Sequence, residues 1–464
     1  MTNYKHLIRM GTNAEKKYCR DFQNQYDAIV INANILAHTT SSMSSFLGCE
    51  LSKDFLIDPQ TYAFQSYGNL LQTSKGKTPN ANIKKSVSSM LTSYGEKIKK
   101  IIEVEKRSIS YNDFLGENGE TFLHELSDNV IDFQLNTIQN QSLENSEYGE
   151  YIQYELASNT QIVNLKPFAL IPPYFYMTEN TIDNWMPHNA NAIKYCKKKF
   201  QDESIYAQIV INKEVLLDKE ILNRIVKEYL STNADGYFIW IDGFDEKNIG
   251  QTYLNNFIYF LKNLKNCNKP IYQIYGSYFS IMLTKDCLSG TCHGMEYGET
   301  REVFPVGGGI PVSKFYMPDL HKRLLYRDAL EFLLAKKYLA DKATYFSNVC
   351  DCKTCKQVIN DNPEIDFSAY GDFNSTTFKR KAGNREYSVT MDYPTTEAKD
   401  LCLKHYLFNK TMEYEYVNTK NWQELVQQLL EAHNNSCDIL GDDVDYLLTW
   451  ANVIKSNFAE NQEI

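Results

Sequence analysis

Cys350-Asp-Cys352-Lys-Thr-Cys355 places three thiols within six residues, too close together for ordinary structural cysteines. One more nitrogen or sulfur donor completes a tetrahedral zinc site. The later segment Leu401-Cys-Leu-Lys-His-Tyr-Leu-Phe-Asn-Lys410 reads as helical and offers two such donors: His405, and Cys402 one helical turn before it. Any fold of this chain must therefore bring that helix back to the thiols. A closed site of this kind is structural, so the expected zinc is a staple and the chemistry lies elsewhere.

Composition sets the outer limits. The chain has 464 residues, 43% of them hydrophobic, enough for two or three domains or for one barrel with additions. No run of about 18 uncharged apolar residues occurs, and no membrane association is expected. Met1-Thr-Asn-Tyr-Lys-His6 lacks the apolar core of a secretory signal. Eleven cysteines, three of them clustered, favour a reducing compartment and a cytoplasmic protein. Cys19, Cys49, Cys196, Cys267, Cys287 and Cys437 then read as free thiols filling core or surface. A formal charge of -10 argues against indiscriminate nucleic-acid binding but allows a local basic track. Three basic clusters stand out: Lys84-Lys85 through Lys106-Arg107, Lys194 to Lys199, and Phe378 to Arg385. In the last, Lys379, Arg380, Lys381 and Arg385 are the candidates for nucleic-acid contact.

Between about residues 25 and 340, short apolar runs alternate with longer amphipathic ones. Tyr26 to Asn32, Asp54 to Asp58, Phe168 to Tyr174, Ala207 to Asn212, Gly236 to Asp242 and Pro270 to Gly276 read as strands. Residues 85 to 107, 219 to 230 and 253 to 266 read as helices. Such alternation implies parallel pairing, in a (β/α)8 barrel or an open doubly wound sheet. Asp58, Asn212, Asp242 and Gly276 each end an apolar run, the rim where a barrel builds its active site. Residues 108 to 160 read as helix plus loop, and Gly307-Gly-Gly309 as a flexible or closely packed turn. The expected organisation is a barrel over 1–345, a zinc-binding subdomain over 346–415 with an insertion at 360–395, and a helical segment over 416–464.

Taken together, these segments resemble the tRNA-guanine transglycosylase family, over about residues 25 to 420. Its zinc motif, Cys-x-Cys-x-x-Cys followed by a helical histidine, is similar to Cys350, Cys352, Cys355 and His405, here with 49 residues before the histidine. Ile57-Asp-Pro-Gln-Thr-Tyr-Ala-Phe-Gln-Ser66 resembles the segment whose aspartate works at the exchanged base. Asp235 to Glu246 and Lys269 to Gly276 resemble the family's next strands. The resemblance implies a zinc-bearing (β/α)8 barrel that exchanges guanine in nucleic acid for a 7-deazaguanine. The chain also departs from the family. Gln60-Thr61 and Trp240-Ile241 stand where glycine pairs let the backbone approach the base. Pro172-Pro173-Tyr174 ends the strand that should carry a second base-reading aspartate. Cys292 to Arg301 replaces the nucleophile motif. These changes suit a diverged branch acting on DNA rather than tRNA, or a relative with a changed reaction.

Base exchange with retention needs a carboxylate nucleophile and a second group for proton transfer. Asp58 is the acid/base or base-reading candidate. Glu296, Glu299 and Asp242 are the candidate nucleophiles, and His293 is a candidate base or phosphate contact. A flipped base needs aromatic and amide neighbours, and Tyr62, Tyr174, Asn212, Gly276 and Gly294 are expected to line its pocket. Alternatives are a hydrolytic glycosylase, an enzyme of free nucleosides or nucleotides, or a silent barrel that binds nucleic acid or a partner. The expected partners are DNA, a 7-deazaguanine base, and a second copy or other modification proteins.

Overall fold

The computed structural model describes residues 4–51, 53–68, 70–73, 82–138, 165–295, 298–305, 312–382 and 385–459, apart from the side chains of Cys49, Lys381 and Ala382. Glu296 and Gly307-Gly-Gly309 lie outside the described residues. The chain divides into two compact units, Met1–Val306 and Gly307–Ile464. No described helix is long and apolar enough to cross a membrane.

The first unit is built on seven parallel strands: β1 (Lys5–Met10), β2 (Ala28–Asn32), β3 (Asp54–Asp58), β4 (Tyr206–Asn212), β5 (Gly236–Asp242), β6 (Ile271–Ile274) and β7 (Gly290–Gly294), in the order β3-β2-β1-β7-β6-β5-β4. Strands buried on both faces read as unbroken apolar runs, and all five residues of β2 are buried. The sheet is strongly curled. Five strand spacings separate β3 from β5, roughly 24 Å on a flat sheet. Yet Tyr62, just after β3, meets Trp240 of β5 edge-on with ring centroids 5.1 Å apart.

Residues 168–177 run on the free side of β4. Only single bridges form there, Leu170 with Ile205 and Met177 with Ile211, and Phe168 N donates to Phe55 O at 3.0 Å. Pro172 and Pro173 have no N–H to give. Side chains satisfy the intervening peptides instead. Gln134 bonds both N and O of Ile171, Thr61 those of Tyr174, Asn189 those of Phe175 and Gln65 those of Tyr176, all within 3.0 Å. These four residues come from the helix Gly116–Asn136, the turn Thr61–Gln65 and the helix Ile182–Lys199.

Helices join the strands elsewhere. Asp218 caps Lys219–Ser231 through Glu220 N and Ile221 N, and Gln251–Lys265 leads into β6. The single helix expected over 85–107 is broken. Lys85–Tyr94 stops at Gly95, which has φ 105°, and a Cβ there would meet Asn129 Nδ2 at 2.6 Å.

The second unit holds the antiparallel pair β8 (Lys314–Met317) and β9 (Lys322–Leu325), the helix Tyr326–Ala335, and the short helices Lys342–Asn348 and Lys353–Val358. Within the expected insertion, a two-stranded ribbon, β10 (Phe373–Ala382) and β11 (Arg385–Pro394), leads into the helix Thr396–Thr419. The helices Trp422–Asn434 and Asp445–Ile454 follow.

Removing the side chain that feeds a buried peptide strands both an N–H and a C=O. Asn189→Ala should therefore lower the unfolding free energy by about 3 kcal/mol in urea titrations. Gln65→Ala, at a half-buried site, should cost visibly less.

Candidate active site and metal centre

Alternation along the strands divides the first unit's polar residues between two faces. Arg9, Asp58, Asn212, Trp240, Asp242 and Cys292 share the concave face, and His6, Gln273 and His293 point the other way. His293 therefore does not join Asp58. Its Nε2 lies 2.7 Å from His6 Nε2, and its ring is buried.

Asp58 ends β3 and is 3% exposed. Oδ2 accepts from Arg9 Nη2 at 2.5 Å, while Oδ1 accepts from the Tyr174 hydroxyl at 2.6 Å and from Gln60 N at 3.0 Å. A carboxylate has about four acceptor sites, so roughly one, on Oδ2, is left for a ligand. Burial opposes a charge on Arg9, but Tyr275, Asp58 and Tyr62 outweigh it and hold the guanidinium ionised. Around this pair pack Tyr62, Tyr174, Trp240 and Tyr275. Burial pushes the Tyr62 phenol up to about 12. Gln60 and Tyr275 hold left-handed backbone, φ 54° and 65°, on the two sides of this cluster.

Asp242, at the end of β5, is only partly buried. Oδ2 accepts from the Tyr176 hydroxyl at 2.6 Å, and Oδ1 accepts from Val303 N at 2.7 Å. Asn212 Nδ2 donates in turn to the Tyr176 oxygen at 2.9 Å, which fixes the direction of that phenol's proton. The result is an oriented carboxylate with solvent access. Glu299 pairs with Lys247 at 2.6 Å, both largely buried. Gly276 N donates to Cys292 O at 3.0 Å, and a Cβ there would meet Ser280 Cβ at 2.8 Å. Gly294 N, at the end of β7, donates to Gly298 O at 2.8 Å in a single antiparallel bridge.

The structure thus gathers Asp58, Tyr62 and Tyr174 in one cluster, and Asn212 with Asp242 in another. Sequence reasoning missed Arg9, Tyr275 and Arg301. Arg301 Nη1 donates to the Tyr275 hydroxyl at 3.1 Å, and its carbonyl accepts from Trp240 Nε1 at 3.1 Å. A lone arginine within His6-Leu-Ile-Arg-Met10 was the available signal, since a charge inside an apolar run needs a buried partner.

In the second unit, the ligand atoms of Cys350, Cys352, Cys355 and His405 lie within 4.8 Å of one another. His405 Nδ1 is 3.3 Å from Cys355 Sγ and 3.5 Å from Cys352 Sγ. Its Nε2 donates to Tyr316 O at 2.7 Å, and Phe315 stacks on the ring. That outer bond turns Nδ1 toward the thiols. Cys402 points away and donates to Tyr370 O at 3.4 Å, so it is not the fourth donor. Three thiolates and an imidazole fit a soft or borderline metal ion and no hard one. Hydrogen bonds with Cys350 and Cys355, and then His405, hold the Cys352 thiol far below the ordinary range, so it meets a metal as thiolate.

A buried ion cluster backs this site. Glu413 accepts from the Tyr316 hydroxyl, lies 2.6 Å from His321 Nδ1 and accepts from Lys410 Nζ at 2.8 Å. Lys410 is fully buried. Burial raises the Glu413 carboxyl, but Lys410 and His321 outweigh it and hold it below the usual carboxylate range.

Because the folded pKa is depressed, this stabilisation is fully present above the ordinary carboxylate range and is lost as pH falls below it, through the lowered folded value. Glu413→Gln should cost about 3–5 kcal/mol near neutral pH in urea unfolding, because it removes the buried carboxylate that Lys410 and His321 face. The gap between wild type and variant should narrow below about pH 4. Cys352→Ser should abolish stoichiometric metal retention, read by elemental analysis.

No protein-family model matches the chain, and a search of curated proteins finds no match.

Proposed function

We propose that the first unit is a base-exchange enzyme that replaces guanine with a 7-deazaguanine, in DNA rather than tRNA. The observation that carries this reading is Asp242, a partly exposed carboxylate held in one orientation by Tyr176 and Val303 N. In this scheme Asp242 attacks C1′ of the target nucleoside. The C1′–N9 electron pair leaves with guanine, whose N9 takes a proton from solvent water. The incoming base gives its N9 proton to water, bonds to C1′ and displaces the carboxylate, so two inversions retain configuration. Asp58, with its remaining acceptor site, reads a base N–H. Tyr62 and Tyr174, buried and stacked on each other, form the aromatic wall behind Asp58.

Residues 168–177 are read as the eighth stave of a (β/α)8 barrel. Supporting this are the Phe168–Phe55 bond on the β3 side and the two bridges on the β4 side. The metal of the Cys3His site is read as zinc. Four protein ligands leave no open position, so it would hold the second unit together and take no part in exchange.

A second reading, a silent barrel, draws on the ion pairs that occupy Asp58 and Glu299. One experiment separates the two. Zinc-loaded protein is incubated with guanine-labelled DNA or tRNA and a free 7-deazaguanine. Exchange predicts release of label, faster from DNA and dependent on the added base. Asp242→Asn should slow release by roughly three orders of magnitude, with the fold intact by circular dichroism. No release from either polymer overturns base exchange, and abasic sites without added base point to hydrolysis.

A further inference from the structure

β10 and β11 pair over ten residues, from Phe373 opposite Pro394 to Ala382 opposite Arg385, in a sheet of two strands. The ribbon is about 30 Å long. A two-stranded ribbon is marginal in water unless something covers a face.

Its faces differ sharply. On one, Ser375 Oγ donates to Asp392 at 2.5 Å and the Thr377 and Thr390 hydroxyls meet at 3.0 Å, with Lys379 opposite Ser388 beyond them. The other face carries Phe378 opposite Val389 and Arg380 opposite Tyr387, with Arg385 next along the register. Phe378 stands edge-on to Tyr393 at 6.0 Å, and Arg380 Nη2 and Tyr393 Oη each lie 3.8 Å from Met391 Sδ. Phe378 and Tyr387 remain 40% and 46% exposed. Residues 378 to 387 hold Lys379, Arg380, Lys381 and Arg385 against Glu386 alone, four positive charges to one negative, in a chain of formal charge -10.

We propose that the aromatic face of this ribbon docks single-stranded nucleic acid, with Phe378 and Tyr387 stacking on unpaired bases and Arg380 and Arg385 meeting phosphates. The proposal rests on the reading of the chain as an enzyme of nucleic acid. Charge complementarity selects the polyanion, because like charges crowded at one end of a thin ribbon repel until counter-charges neutralise them. Exposed rings beside the arginines select unpaired bases. A duplex hides its base faces and would leave the rings unused, whereas a single strand uses both.

The test is fluorescence anisotropy with the full chain and a labelled 20-nucleotide single strand, alone and annealed to its complement. Phe378→Ala with Tyr387→Ala should weaken single-strand binding by at least about tenfold. Arg380→Ala with Arg385→Ala should also lower the salt slope, by roughly 0.7 per arginine. Thr377→Ala with Thr390→Ala, on the polar face, should stay within about twofold of wild type. Unchanged thermal unfolding of these surface variants keeps the comparison sound. Binding within about twofold of wild type for both aromatic and arginine pairs overturns the proposal, as does duplex binding equal to or tighter than single-strand binding. A dimer that dissociates in the aromatic variant, with no oligonucleotide bound, overturns it in favour of a second copy. Base exchange that persists with ribbon-independent binding sinks the ribbon and leaves the enzyme reading intact. Ribbon-dependent binding without exchange sinks the enzyme reading and leaves the ribbon.

Discussion

The first unit depends on how the backbone around Pro172-Pro173 is satisfied. Two prolines remove two donors from a segment that must cross the interior beside β4. A buried peptide group without a partner costs about as much as a lost hydrogen bond. The solution is four side chains, Gln134, Thr61, Asn189 and Gln65, each bonding an N–H and a C=O of the same residue. Three neighbouring elements are thereby tied to one irregular segment. The same segment delivers the Tyr174 phenol to Asp58 and the Tyr176 phenol to Asp242. The placement of both carboxylates follows from a backbone that could not join the ladder.

The second unit uses a different constraint. Its thiols and His405 form one sphere, and the Tyr316 carbonyl that orients His405 belongs to the residue whose hydroxyl reaches Glu413. Ligand geometry and the buried ion cluster are therefore connected through a single tyrosine. Aromatic packing completes the shell: the Tyr345 and Tyr370 hydroxyls each lie 3.3 Å from Cys355 Sγ.

Local signals in the sequence were legible, and distant pairings were not. β2 through β6 stand out because strands buried on both faces are continuous apolar runs. β1 and β7 were missed for the opposite reason. His6 and Arg9 interrupt the first, and Gly290-Thr-Cys-His-Gly294 offers almost no apolar residue. Asp58, Asn212 and Asp242 were found because each closes a strand. Their pairing with Arg9, Tyr174 and Tyr176 is not legible locally, although Tyr174 itself was expected at the pocket, since the curl of the sheet and the proline segment bring these groups in. The thiol spacing announced a metal, but the choice of His405 over Cys402 depends on which way the helix Thr396–Thr419 is turned. The Phe315 ring and the Tyr316 carbonyl at His405, and the Tyr370 carbonyl at Cys402, fix that.

The cluster of Tyr316, His321, Lys410 and Glu413 has a consequence for how this sequence can drift. Replacing Lys410 takes the ammonium from Glu413 and leaves it Tyr316 and His321, while replacing Glu413 removes the carboxylate that Lys410 and His321 face, so either single step weakens a buried ion cluster. An all-apolar quartet of the same volume could be as stable, yet the first single change toward it weakens the ion cluster before any apolar packing replaces it. The four positions are therefore expected to change together, whereas the exposed Thr377 and Thr390 of the ribbon carry no buried charge that ties one to another.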